Sequence, residues 1–303
     1  MHRRITTWLL FAVALAFTSP ALAQEKIKVV ATFSILGDLV RNVAGDRATV
    51  HTLVGPDGDA HVYAPSPADA KTLAEARVII ANGLGFEGWI TRLVKASGTR
   101  APVVVATKGI KPRRAEGGHA AGEAHAHGDA DPHAWQAVSN AKTYVANIRE
   151  GLTQADPDGR ADYDRNASAY LAKLDALEQE VRDAVARIPA ERRRIITTHD
   201  AFGYFNTAYG INFVAPQGVS TESEASARDV ARIITQIKKQ KIPAVFLENV
   251  SDSRLMKRIA DETGAKIGGT LYSDALTGET GAAPTYLDMM RHNIRTLSAA
   301  LMS

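Results

Sequence analysis

Four of the chain's nine histidines fall within the nineteen residues "GGHAAGEAHAHGDADPHAW" (117–135), in a sequence of 303 residues that has no cysteine. Imidazole is the commonest side-chain metal ligand and changes charge near neutral pH. A cluster of this kind reads either as part of a metal site or as a loop of loosely held ligands, and the partners decide which. His2 belongs to the N-terminal leader, His51 sits inside "TVHTL", and His292 lies on the last helical stretch. For the last two, a paired or solvent-facing imidazole is the ordinary reading. His61, His133 and His199 share another context. His61 follows a strand and the loop "GPDGDA", His133 sits in "DPHAW", and His199 comes straight after "RRIITT". Asp274, in "LYSDAL" beyond "KIGGTL", is an acid in the same kind of position. These four are 72, 66 and 75 residues apart, too far for the paired ligands of a zinc finger. Three imidazoles and one carboxylate suit tetrahedral zinc, with bonds of about 2.0 to 2.2 Å. A second chemistry stays open: a secreted zinc metallohydrolase, with the three histidines on the metal and Asp274 as general base. Glu248, in "PAVFLEN", is the other acid that such an enzyme could use.

The elements that must position these residues repeat. "IKVVATF" (27–33), "TVHTLVG" (49–55), "ARVIIANG" (76–83) and "APVVVATKG" (101–109) are short apolar runs separated by stretches of helical periodicity. The pattern returns after residue 190 in "RRIITTHD", "INFVAPQ", "PAVFLEN" and "KIGGTLY". Alternation of this kind predicts an α/β fold of two parallel-sheet domains with helices on both faces. Ligands of such sheets bind beyond the carboxyl ends of the strands, where the four residues fall. Between the halves, Tyr163, Ala167, Tyr170, Leu171, Leu174, Leu177, Val181, Val185 and Ile188 keep helical spacing up to Pro189. That is one amphipathic helix of about 26 residues, roughly 40 Å long, read as a rigid link that limits hinge motion. The expected divisions are a leader at 1–23, an N-terminal domain at 24–155 with a mobile loop at about 115–130, a linking helix at 156–189, and a C-terminal domain at 190–303.

The leader has Arg3 and Arg4, an apolar run from Trp8 to Phe17 and a small-residue end, so cleavage is expected after Ala23 and the mature protein in the periplasm. The apolar run is too short to span a bilayer. Removing residues 1–23 takes away two arginines and no acids, so the formal charge falls from +3 to +1. No clustered basic face suggests nucleic acid as a partner. An exported chain without cysteine depends on its packed core rather than on disulfides.

The stretches "GPDGDAHVYAPSPADAKTLAEARVIIANGLGFEGW" (55–89), "DPHAW" (131–135), "TTHDAFGYF" (197–205) and "LYSDAL" (271–276) together resemble the periplasmic metal-binding proteins of bacterial zinc and manganese ABC transporters. The resemblance runs over essentially the whole mature chain. It implies two α/β domains bridged by a long helix, with the metal held at their interface by His61, His133, His199 and Asp274. A histidine at the third position, as at His199, resembles the zinc members, and a glutamate there the manganese members. The implied function is capture of Zn2+ as a transported ligand and its delivery to a membrane permease, with a manganese-binding member of the same family as the alternative. The implied protein is a monomer, and whether a periplasmic zinc donor supplies it stays open.

Two departures from the pattern stand out. Gln136, Ala137 and Val138 replace a common Leu-Asp-Pro, and Ala225 replaces a frequent proline. Either Thr221 with Glu224 or Ser226 with Asp229 can still open the helix that follows. Histidine-rich loops resemble a feature of the zinc members, so His119, His125 and His127 read as transient metal-capture ligands or, equally, as a solvated loop. Four protein ligands leave no open position for an activated water, which favours binding over catalysis. Ordinary imidazole ligands would make affinity fall below about pH 6.

Overall fold

The computed structural model describes residues 25–114 and 130–302. The leader with its cleavage point, and His119, His125 and His127, lie outside the described residues. The first half runs β1 (Ile27–Phe33), α1 (Ser34–Ala44), β2 (Ala48–Val54), α2 (Pro67–Ala74), β3 (Val78–Ala81), α3 (Ile90–Ser97) and β4 (Val103–Val105). Its four strands are parallel, in the order β2-β1-β3-β4. β1 is buried from Val29 to Phe33, as a central strand covered on both faces must be. β2, at an edge, mixes buried and exposed positions and leaves His51 exposed.

Two long helices follow, α4 (Val138–Ala155) and α5 (Arg160–Arg187). The second half then runs β5 (Arg194–Ile196), α6 (Gly203–Tyr209), β6 (Asn212–Val214), α7 (Ala227–Gln240), β7 (Ala244–Glu248), α8 (Ser253–Thr263), β8 (Lys266–Leu271) and α9 (Tyr286–Met302). Its sheet is also parallel and repeats the order of the first, β6-β5-β7-β8. In this order the crevice opens where the connections diverge, between β1 and β3 in one half and between β5 and β7 in the other.

α5 is the backbone of the whole. Its 28 residues span about 42 Å. Tyr163, Ala167, Tyr170, Leu174, Leu177, Val181 and Val185 make one buried stripe along it. It packs on α1 and α4 of the first half and on α6 and α9 of the second. One apolar core therefore runs from Val29 and Leu36 through Tyr144, Tyr170 and Leu174 to Phe246, Tyr286 and Leu297. Leu171, one step of about 100° beyond Tyr170, lies on the shoulder of the stripe and is only partly buried. The neighbours Ile195 and Ile196 on β5 point to opposite faces. Ile195 joins the shared core, and Ile196 joins a smaller cluster with Ile233, Ile237, Val245, Met256 and Ile259 beneath α7 and α8.

Of the two capping patterns, the structure uses the later one. Ser226 is the N-cap of α7, and its Oγ accepts the Asp229 N–H at 3.2 Å. Thr221 is left for another role.

Candidate metal centre

Each of the four residues sits where the chain leaves a strand or a tight turn. His61 ends the loop after β2. There Asp59 Oδ1 accepts the His61 N–H at 2.9 Å, and Trp89 Nε1 donates to the Ala60 carbonyl at 2.8 Å. His133 sits at the head of the short turn Ala134–Gln136. His199 follows β5 by three residues, and Asp274 follows β8 by three. His133, His199 and Asp274 have no exposed surface, and the His61 side chain is 5% exposed.

One ligating atom from each lies within 4.8 Å of all the others. His61 Nε2 is 3.3 Å from His133 Nε2 and 3.4 Å from Asp274 Oδ2. Asp274 Oδ2 is 3.1 Å from His199 Nε2, and Oδ1 is 3.5 Å from His133 Nε2. A tetrahedron with arms of about 2.0 to 2.2 Å has edges of roughly 3.3 to 3.6 Å. The four separations of 3.1 to 3.5 Å lie close to this edge, and with all four atoms within 4.8 Å of one another the donor set fits a small divalent ion.

The outer nitrogens of two imidazoles meet carboxylates. His133 Nδ1 is 2.8 Å from Asp131 Oδ1, which also accepts the His133 backbone N–H at 3.0 Å. His199 Nδ1 is 2.6 Å from Glu248 Oε2, while Glu248 Oε1 accepts the N–H groups of Thr198 and His199. Glu248 closes β7 and His199 follows β5, so this pair occupies the crevice of the second sheet. A carboxylate on Nδ1 fixes the ring and turns the Nε2 lone pair inward. Asp131 is held in turn by Arg113 Nη1 at 3.2 Å, and its carbonyl accepts the Tyr204 hydroxyl at 3.1 Å. Phe86 and Trp135 pack edge-on against the imidazoles of the first half.

The charges of the cluster are mutually dependent. Burial alone would lower His133, but the Asp274 charge and the hydrogen bond to Asp131 raise it to about 9. Burial works against His199 too, and the charges of Glu248 and Asp274 lift it well above its ordinary value. Burial would raise Asp274, yet the two imidazoliums beside it hold it well below the usual carboxylate range. His61, where burial dominates, is lowered. Among the described residues, this is the one group of three or more such side chains able to converge on an ion.

Sequence reasoning missed three residues that shape the site. Asp131 could have been found, because Asp-x-His lets a carboxylate reach the N–H two residues on. Gln136 could not. Its Nε2 donates to the Ser273 carbonyl at 2.7 Å, alongside Trp135 Nε1 at 2.9 Å. Two donors next to His133 thereby grip the peptide that carries Asp274, tying candidate ligands of the two halves to one another. The third, Thr221, crosses the halves to Asp59. Asp200 and Ser273, the chain neighbours of His199 and Asp274, hold other contacts: Asp200 donates its N–H to the Gly218 carbonyl, and Ser273 offers its carbonyl to the clamp.

Gln136→Leu tests the clamp. Gln136 Oε1 is buried and accepts no hydrogen bond, so leucine removes an unsatisfied atom along with one donor. Metal affinity is expected to fall about tenfold, as for other changes one shell out from a metal. The melting temperature should stay within roughly 4 °C, the shift of a small stability change. Titration and thermal melts of the metal-free variant measure the two.

Two parallel α/β lobes on one rigid helix, closing four inward-facing ligating atoms between them, define a solute-binding protein built around a metal ion. The profile of the family described as zinc-uptake complex component A, periplasmic, matches residues 29–300, and the chain belongs to this family. It is similar to the iron-binding protein YfeA of Yersinia pestis, 37% identical over 290 residues that cover 96% of this chain and 91% of that one. It is also similar to the manganese-binding lipoprotein MntA of Halalkalibacterium halodurans, 36% identical over 91% of this chain and 89% of that one. The solved structure of the periplasmic zinc binding protein TroA from Treponema pallidum superposes with a TM-score of 0.84 at 33% identity, covering 91% of this chain and 99% of that one. The chain is accordingly a metal-binding component of an ABC transporter that works outside the cytoplasm with a membrane permease, and not an enzyme. No helix among the described residues is long and apolar enough to cross a membrane.

Proposed function

We propose that this protein captures Zn2+ in the periplasm through His61, His133, His199 and Asp274 and delivers it to its permease for import. The observation that carries the reading is the convergence of three imidazoles and one carboxylate within 4.8 Å of one another, with Asp131 and Glu248 behind two of the rings. Imidazole-rich sites favour zinc, and zinc outranks manganese and iron at nearly any nitrogen and oxygen site. The family description and the name of the Treponema structure point the same way.

A second reading rests on Asp274 Oδ1, which is buried and accepts no hydrogen bond. Used together with Oδ2, it would add a fifth donor and shift the set toward oxygen, which suits manganese. Relatives named for manganese and iron give that reading its weight. Native mass spectrometry after zinc and manganese are offered together decides between them. One zinc per chain is the expected result, and one manganese per chain under equal supply overturns the zinc assignment.

A further inference from the structure

The loop that brings His61 to the site is pinned to the second half at two points. At its root, Asp57, in a left-handed conformation with φ of 55°, donates its N–H to the Leu276 carbonyl at 2.8 Å and accepts from Asn249 Nδ2 at 3.1 Å. Nearer its end, Asp59 divides its two oxygens. Oδ1 holds the His61 N–H, and Oδ2 accepts the Thr221 hydroxyl at 2.5 Å, across 162 residues of sequence. The corresponding carboxylate of the other Asp-x-His, Asp131, turns to its own histidine ring instead. Thr221 therefore acts on His61 through one carboxylate.

A cleft of about 360 Å³ opens beside this contact. Asp59, Thr198, Gln217, Thr221, Glu224 and Ser251 are among the residues that line it. Asp59 stands two residues before His61, and Thr198 directly before His199, so the cleft is lined by chain neighbours of two of the four proposed ligands rather than by the ligands themselves. Thr198, one of the lining residues, is 2% exposed, and its Oγ1 is buried with no hydrogen-bond partner. Glu224 adds an exposed acid to the lining. Among the described residues, His133 packs against Phe86 and Trp135, His199 against Glu248, and the Ser273 carbonyl beside Asp274 is held by the clamp. The segment bearing Thr221, between β6 and α7, has no helix or strand of its own. Segments with few packed contacts open at the lowest free energy.

We propose that this cleft is the route by which the ion reaches and leaves the site, and that the Thr221–Asp59 hydrogen bond is the catch that holds His61 across it. Thr221 and Asp59 are positioning residues, and the proposal rests on the ligand assignment above. His61, the one ligand with exposed side-chain surface, is the last to engage and the first to leave. His133, His199 and Asp274 stay in place as a preformed base.

Thr221→Val keeps the shape and removes the hydroxyl. Zinc release to a chromophoric chelator and zinc loading, both followed by stopped flow, are each expected to accelerate about tenfold, the size of one lost hydrogen bond to a charged group. Because the catch opens and closes in both directions, the dissociation constant should stay within about threefold. Thr221→Ser, which restores the hydroxyl, should return both rates to those of the unmodified protein. Unchanged rates in Thr221→Val overturn the proposal. So does faster release with an equal loss of affinity, which would make Thr221 a simple support for His61. Unmodified protein that binds one zinc while Thr221→Val exchanges at the same rate sinks the catch alone; unmodified protein that binds no zinc sinks the ligand assignment and the catch with it.

Discussion

His199→Ala is expected to weaken zinc binding by roughly two to three orders of magnitude and also to destabilise the metal-free protein. The first effect follows from sharing about 10 to 16 kcal/mol of zinc binding among four ligands. The second follows from what His199 does without metal. Its ring lies 2.6 Å from Glu248 and 3.1 Å from Asp274, and none of the three side chains has exposed surface. Removing one partner of a buried ionic cluster costs about 3 to 5 kcal/mol, because the charges left behind are unpaired. His61→Ala should separate the two effects. His61 meets Asp274 at 3.4 Å and no carboxylate on its outer nitrogen, and burial keeps its own pKa low. Its loss should therefore cost affinity on a similar scale while leaving the metal-free melting temperature nearly unchanged. Competition with a chelator of known affinity gives the first quantity, and melts in the presence of a metal scavenger give the second. Equal stability losses in the two variants would refute the account of His199 as a structural cation.

The contrast between these residues shows where sequence reading stops. Strand-end placement and motif context single out His61, His133, His199 and Asp274, and the fold brings all four together. The α5 stripe is legible because helical periodicity is a local property. Strand length is not: the apolar run at 101–109 folds as a strand only over Val103–Val105, since β4 is an edge strand paired with β3 alone. Contacts distant in sequence are harder still. Gln136 reads as a departure from the family pattern before helix α4, yet it reaches the Ser273 carbonyl 137 residues away. Thr221 reads as a possible helix cap, and its hydroxyl instead goes to Asp59. In both cases a polar side chain finds a partner distant in sequence that only the fold supplies.

The pH dependence changes for the same reason. Ordinary imidazoles would make affinity level off above about pH 6, but two of the three are not ordinary. His133 is raised from 6.5 to about 9 and His199 well above 6.5, so both carry protons in the metal-free protein at neutral pH. His61 is lowered and is already neutral there. Binding zinc at pH 7 should therefore release about two protons, and affinity should keep climbing up to about pH 9. Stability of the metal-free protein should run the opposite way. The raised value of His133 contributes stability that is fully present below 6.5 and is lost as pH rises through its folded value near 9, and the raised value of His199 acts in the same direction. The depressed Asp274 contributes stability that is present above 3.8 and is lost as pH falls through its folded value. The lowered value of His61 works the other way, its contribution being lost as pH falls below 6.5, so the metal-free protein should be most stable near pH 6.5 and lose stability above it, while the zinc-loaded protein gains on it at every step upward. Calorimetry in two buffers of different ionisation enthalpy counts the protons, and melts with and without zinc trace the two curves. A count near zero at pH 7 would mean that the imidazoles stand neutral before the metal arrives, and that Asp131 and Glu248 orient the rings without charging them.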